Sequence, residues 1–272
     1  DWNGVLDVER STFADNGNQR TTTTGGTFGS GLAQVPFGNG GAVLASGASF
    51  TCSSCTLRGN RGASGGAVYC TAPTCTLRDT TLTDNTATGG SGGAVYTASN
   101  ARLVLTNVLL ARNTATNTGG AVAISTGRGT LTNVTLERNS APTAAAMHVL
   151  TNSRGSALAD VTFVANAATR AAYTATAVTG NGQAHASALW VEGSSVTFAN
   201  DNVVFECNTA LVSTHVRDVA VTTSVGNQYF GELVVPYART AALFEYTVSA
   251  STRYRSRIRF NGATADTQYG TN

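Results

Sequence analysis

Four of the five cysteines in this 272-residue chain fall within 24 residues, spaced Cys52-x2-Cys55 and Cys70-x4-Cys75. Thiol pairs at that spacing either bind a metal ion as thiolates or close two disulfides, and spacing alone decides neither the choice nor the pairing. Cys207 stands apart. A second chemistry would be cleavage of a polysaccharide, which needs two carboxylates as acid and base, or acidic residues holding calcium beside a basic group. The nine Asp and six Glu are scattered, and the nearest approach to a pair is Asp79 with Asp84. His148, His185 and His215 have no Ser or Cys nucleophile motif beside them. No catalytic residue is assigned, and the balance leans away from an enzyme.

A third chemistry is recognition of anions. In "TRYRSRIRF" (Thr252–Phe260), Arg253, Arg255, Arg257 and Arg259 alternate with Tyr254, Ser256, Ile258 and Phe260. As a strand this puts four guanidinium groups on one face, suited to bidentate contacts with the carboxylates or sulfates of an acidic polymer or partner. The competing reading is a charged edge strand that blocks unwanted pairing. Nucleic acid is not the expected partner, because no DNA- or RNA-binding motif accompanies the row. All 17 basic residues are Arg and the net charge is +2, so whole-chain charge selects no partner. The chain also holds one glycosylation acceptor motif, Asn133-Val134-Thr135.

These residues need a scaffold, and the sequence spells one out by repetition. "GGAV" recurs at Gly40–Val43, Gly65–Val68, Gly92–Val95 and Gly119–Val122, so the second glycines step by 25, 27 and 27. A large apolar residue three before an Asn recurs at Phe13–Asn16, Leu57–Asn60, Leu82–Asn85, Leu110–Asn113, Leu136–Asn139, Phe163–Asn166 and Phe205–Asn208. Three residues before most of those apolar positions stands Asp79, Asn107, Asn133, Asp160 or Asn202, with Arg10 and Ser54 as exceptions. Between the signatures the residues alternate as in a strand. A unit of this size cannot bury its apolar face alone and must stack on copies of itself. Each Gly-Gly is expected at a sharp corner passed closely by the next coil. Asn60, Asn85, Asn113, Asn139, Asn166 and Asn208 are expected to form an internal ladder, each amide bonding its neighbours one coil above and below. Asp79 and Asn133 share a ladder register, which assigns both a structural role. An inward-facing Asn133 would leave no room for a glycan.

The pairing of GGA[VIL] with [FL]xxN resembles the repeats of the polymorphic outer membrane proteins and related right-handed parallel β-helices. That resemblance covers roughly residues 1–208 and implies an extracellular or surface-exposed passenger with an adhesive or structural role. It also favours disulfides over metal for Cys52, Cys55, Cys70 and Cys75, since such a surface lies in an oxidising compartment. The pattern departs at "AAAM" (Ala144–Met147) and "ASAL" (Ala186–Leu189), so the ladder is expected to fade toward the C-terminus. Long links at Asn16–Gly41 and Asn166–Ser187 leave the same corner. The second carries Tyr173 and His185 and leads into Trp190, a candidate binding group; tolerated surface excursions are the competing reading. "VLDVERSTFADN" is the second half of a coil without its Gly-Gly half, which reads as a start inside a longer solenoid.

The sequence therefore predicts an all-β chain: a right-handed parallel β-helix (solenoid) of about seven coils over residues 1–208, then a β-rich cap or following module over 209–272. The expected role is a non-enzymatic extracellular or cell-surface rod, structural or adhesive, within a larger protein. A polysaccharide-binding or polysaccharide-degrading β-helix is the alternative. Expected partners are other protein chains of a surface assembly or acidic glycans, with no cofactor, no metal, no nucleic acid and no membrane span. No apolar run approaches the length of a span.

Overall fold

The computed structural model describes residues 5–17, 38–150, 153, 155–169, 188–199, 202–210, 219–222, 232–235, 244–246, 257–260 and 263–265. Each repeat is one turn of a parallel β-solenoid. From the corner at Gly92-Gly93 the chain runs through Val95–Thr97, Arg102–Ala111 and Thr114–Ala115 before reaching the next corner at Gly119-Gly120. Every strand pairs in parallel with its counterpart one turn on, as in Val95 with Val122, Leu105 with Leu131 and Thr114 with Ser140. Three sheets result, a broad one of 13 strands, a second of 8 and a narrow one of 6. Among the described residues none is helical.

The narrow sheet's six strands enclose about five turns, fewer than the expected seven. The expectation gave every apolar-x-x-Asn signature a whole turn, whereas the first and last of them bound the stack. Beyond Ala210, Val219–Thr222 and Phe244–Tyr246 extend the second sheet in parallel, and Glu232–Val235 and Arg257–Phe260 extend the broad one. Ala263–Ala265 then turns back antiparallel on Arg257–Phe260.

Three left-handed residues bend each turn. In one turn they are Asn107 (φ 55°), Arg112 (φ 55°) and Gly119 (φ 62°). At the first bend Ser54, Asp79, Asn107, Asn133 and Asp160 all lie between 49° and 55°, and Arg10 joins them at 48°. Asn and Asp tolerate this conformation best, so they dominate the register, but Ser and Arg adopt it where the stack demands it. At the Gly-Gly corner the first glycine supplies the positive φ and the second supplies space. A Cβ on Gly93 would fall on the Gly120 carbonyl oxygen and on the Thr114 backbone of the next turn.

Inside the turns, Leu57, Leu82, Leu110, Leu136 and Phe163 stack in file with no exposed surface, and Val68, Val95 and Val122 face them from the second sheet. The inner Asn file runs the length of this core. Asn85 Nδ2 donates to Asn113 Oδ1 (3.0 Å) and to the Leu57 carbonyl (2.9 Å), while its backbone N–H donates to the same Asn113 Oδ1 (3.0 Å). The pattern continues through Asn139 and Asn166 to Asn208. Each amide thus uses both donors and accepts twice, as the buried corner requires. Asp would lack the donors.

Two expectations are corrected here. The ladder does not fade: only the Gly-Gly pattern lapses, and Ala144 keeps the left-handed corner at φ 50° while the Asn file continues past it. The second register does not face inward either. Asp79, Asn107, Asn133 and Asp160 sit at a left-handed bend between two inward-facing residues, so their side chains leave the sheet on its solvent side, and Asn107 and Asn133 are exposed. They form an outer file in which Asn133 Nδ2 donates to Asn107 Oδ1, and Asn107 Nδ2 to Asp79 Oδ1, both at 2.9 Å.

The cysteines are paired locally. Cys52 bonds Cys55 across the Ser54 bend and Cys70 bonds Cys75 around the Pro73 turn, with Cα separations of 6.0 and 6.4 Å. Both bridges are buried, with Phe50 stacked on Cys75 and Ala45 on Cys70. Thiolate ligation of a metal is thereby replaced, and Cys207 is a free, exposed thiol at the left-handed bend before Asn208.

Candidate functional site

The second sheet presents one outward residue per turn. Counting three on from the second corner residue gives Leu44, Tyr69, Tyr96, Ala123, His148 and Trp190, and the parallel register places them in a single file. Turns of unequal length hide this file from any fixed period in the sequence. The corner count, which absorbs those differences, would have revealed it. Tyr69 and Tyr96 stack with ring centroids 5.1 Å apart and planes 14° from parallel. His148 and Trp190 stack at 4.2 Å and 5°. Leu44 is 61% exposed at the start of the file. Burial, with the neighbouring Tyr96 hydroxyl, pushes the Tyr69 phenol up from its ordinary value. This is the flat, partly aromatic face of the rod.

Around His148 lies the principal buried polar cluster of the described residues. Its Nδ1 is 2.8 Å from Thr118 Oγ1, which is 3.0 Å from Ser91 Oγ. Its Nε2 stands 3.2 Å from Glu192 Oε2, within ion-pair reach but without a hydrogen bond's alignment. The proton placement that satisfies this row leaves Nε2–H toward the carboxylate and Nδ1 accepting from Thr118. Hydroxyl, imidazole and carboxylate in line are the parts of a nucleophilic hydrolase. Thr118 is only 7% exposed and His148 2%, so the hydroxyl is not presented to a substrate, and the row acts as a packed polar tie between neighbouring turns.

Burial holds the His148 pKa below its ordinary 6.5, against the opposing pull of the Glu192 carboxylate. A depressed histidine stays neutral in the fold while the unfolded chain takes up a proton. Its contribution is therefore complete above pH 6.5 and is lost as pH falls toward the folded value, at a slope of up to about 1.4 kcal/mol per pH unit. The Tm of the wild-type chain is expected to fall between pH 7 and pH 5.5, with a shallower fall for His148→Gln. Equal slopes for the two would mean that His148 does not carry the effect.

The carboxylates are committed elsewhere. Arg112 donates to both oxygens of Asp84 at 2.8 Å and holds the Asp84 carboxyl below its usual range. At 52% and 51% exposure such a pair is worth at most about 1 kcal/mol. Asp79 is engaged by Asn107 in the outer file. Among the described residues no group of His, Cys, Asp or Glu is arranged to hold a metal ion.

Of the residues singled out for binding, Tyr173, His185, Arg253 and Arg255 lie outside the described residues. Trp190 is 6% exposed, beneath the His148 stack. Arg257 and Arg259 belong to the strand Arg257–Phe260, in register with Glu232 and Val234. Another basic feature has no motif to mark it in the sequence. Arg102 and Arg128 are paired across adjacent turns at the entry to the broad sheet and both are exposed, with no ion pair to a described residue. Like charges directly opposite on neighbouring strands are unfavourable, and an anionic partner would relieve them.

Residues 79–98 match the Chlamydia polymorphic membrane protein repeat. That stretch runs from the outer Asp79 through the inner Asn85 and the Gly92-Gly93 corner to the strand Val95–Thr97, which is nearly one complete turn. No curated protein and no solved structure matches the chain. Repeat and architecture agree: this is a parallel β-solenoid of the polymorphic-membrane-protein-like kind.

Proposed function

We propose that this chain is the rod section of a cell-surface or extracellular protein, with an adhesive or structural role, and that it engages acidic glycans or partner chains through its solvent faces. The observation that supports this most is the construction of the solenoid itself. An unbroken inner Asn file, two buried disulfides and a membrane-protein repeat make a rigid spacer suited to an oxidising exterior. Its polar resources go into holding turns together: the inner amides bond one another, and Asp84 and Asp79 bond Arg112 and Asn107. The Arg102 and Arg128 pair supports an anionic partner. The Tyr69 and Tyr96 stack favours a second reading, a polysaccharide-binding face, since sugar rings pack on aromatic planes.

The test is incubation of the chain with acidic and neutral polysaccharides, scoring both retention of the protein and polymer length. Retention on the acidic polymers that weakens with salt, with polymer length unchanged, is expected. Replacing Arg102 and Arg128 by Ser should reduce that retention severalfold. Shortened polymers would overturn the non-enzymatic reading. Salt-independent retention on neutral polymers, lost on Tyr96→Ala, would favour the aromatic face.

A further inference from the structure

We propose that Asn133 is a site of N-linked glycosylation, held outward by the solenoid at the one position of the outer file where both chemical requirements coincide. The acceptor motif needs an amide nitrogen at the first position and a hydroxyl two residues on. Along the file the two are otherwise separated. Asp79-Thr80-Thr81 and Asp160-Val161-Thr162 have the hydroxyl without the amide, and Asn107-Val108-Leu109 and Asn202-Val203-Val204 have the amide without the hydroxyl. Asn133-Val134-Thr135 has both.

The fold presents the motif correctly. Asn133 bends the strand with φ 53° and its side chain is exposed, while Val134 points into the core at 1% exposure and Thr135 returns to the outer surface, beside Leu109 and Thr162 of the adjacent turns. One Nδ2 hydrogen is used, donated to Asn107 Oδ1 at 2.9 Å. The other has no acceptor among the described residues. Transfer from a polyprenyl-diphosphate-linked oligosaccharide replaces that second hydrogen. The N–C1 bond forms, the bond from C1 to the diphosphate oxygen breaks, and the displaced proton goes to base, with no change in oxidation state. The remaining N–H keeps its bond to Asn107, so the outer file survives modification. The two disulfides place folding of this chain in the oxidising compartment where such transfer takes place.

The experiment expresses the full chain behind a secretion leader in an N-glycosylating eukaryotic cell and reads its intact mass. One glycan is expected, removable by peptide N-glycosidase with conversion of residue 133 to Asp. It should be absent from Asn133→Gln and Thr135→Ala and present on Thr135→Ser. The glycan-bearing and enzyme-trimmed chains should melt at the same temperature, as an outward group requires. A disulfide-bonded chain with Asn133 unmodified would overturn the proposal. So would a glycan whose removal restores lost stability, since that would place Asn133 against the fold. Chain retained inside the cell is read by the same mass measurement, so the outcome does not depend on secretion.

Discussion

Asn113→Ala is expected to cost roughly 3–6 kcal/mol, enough to unravel the turns on either side of it. The side chain makes four hydrogen bonds: it accepts from the backbone N–H and the Nδ2 of Asn85, and it donates to Asn139 Oδ1 and to the Leu82 carbonyl. Truncation leaves the two Asn85 donors and the Leu82 oxygen without partners at a site with no exposed surface. Each orphaned group costs about 1–3 kcal/mol, and no water can reach them. The outer file supplies the control. Asn107→Ala removes two amide hydrogen bonds of similar length, yet water replaces them on an exposed ridge, and the expected change is about 0.5 kcal/mol. Urea unfolding followed by circular dichroism separates the two. Similar midpoints for both variants would remove the distinction between inner and outer files. Asn113→Asp should be worse than Ala at neutral pH, because it buries a carboxylate against the Leu82 carbonyl. Its pKa in the fold would be raised, so stability should recover as pH falls and the acid regains a donor.

The second large effect is at the corners. Gly93→Ala removes unfolded-state entropy, which favours the fold by up to about 1 kcal/mol, because the φ of Gly93 is not left-handed. Sterics decide the sign. The new Cβ would overlap the Gly120 carbonyl oxygen and the Thr114 backbone, none of which can rotate away. Separating two turns opens the hydrogen bonds from Gly93 to Gly119 and from Thr114 to Asn85, and the expected net loss is about 3 kcal/mol or more. Gly47→Ala isolates the other contribution. Gly47 has φ 80° and nothing within 4 Å of an added Cβ, so only the conformational cost of about 1–2 kcal/mol applies. A Gly93 variant as mild as the Gly47 variant would mean that the turns are less closely stacked than described.

Much of this architecture is legible in the sequence because a stacked repeat writes each contact several times. Leu82 and Leu110 face the core at corresponding positions for the same reason, and Asn85 and Asn113 need the same partners, so registers announce themselves. The direction a register faces is harder to read. Asn85 and Asn107 are the same residue type in the same kind of periodic file. What sends one inward and the other outward is which side of a left-handed bend each occupies: Asn107 is the bend, whereas Asn85 follows the bend at Asp84. Composition carries no trace of that difference. The aromatic file is hidden for another reason, since Tyr96 and Trp190 meet in one column only after turns of unequal length are aligned from their corners. The His148 row is less legible still. Ser91, Thr118, His148 and Glu192 come from four different turns, and no short motif links them.

The inner and outer files also explain how one chain is both rigid and open to recognition. Groups that must be satisfied away from water are consumed by the next turn, and what projects from the bends is left for solvent, ions, glycans or partner surfaces. Side-chain amide hydrogen exchange, read residue by residue by NMR, tests that division most directly. The Nδ2 protons of Asn60, Asn85, Asn113, Asn139 and Asn166 are expected to exchange at least on the order of a hundredfold more slowly than those of Asn107 and Asn133, because opening the inner file requires separating turns. Inner amides that exchange as fast as the outer ones would contradict the division.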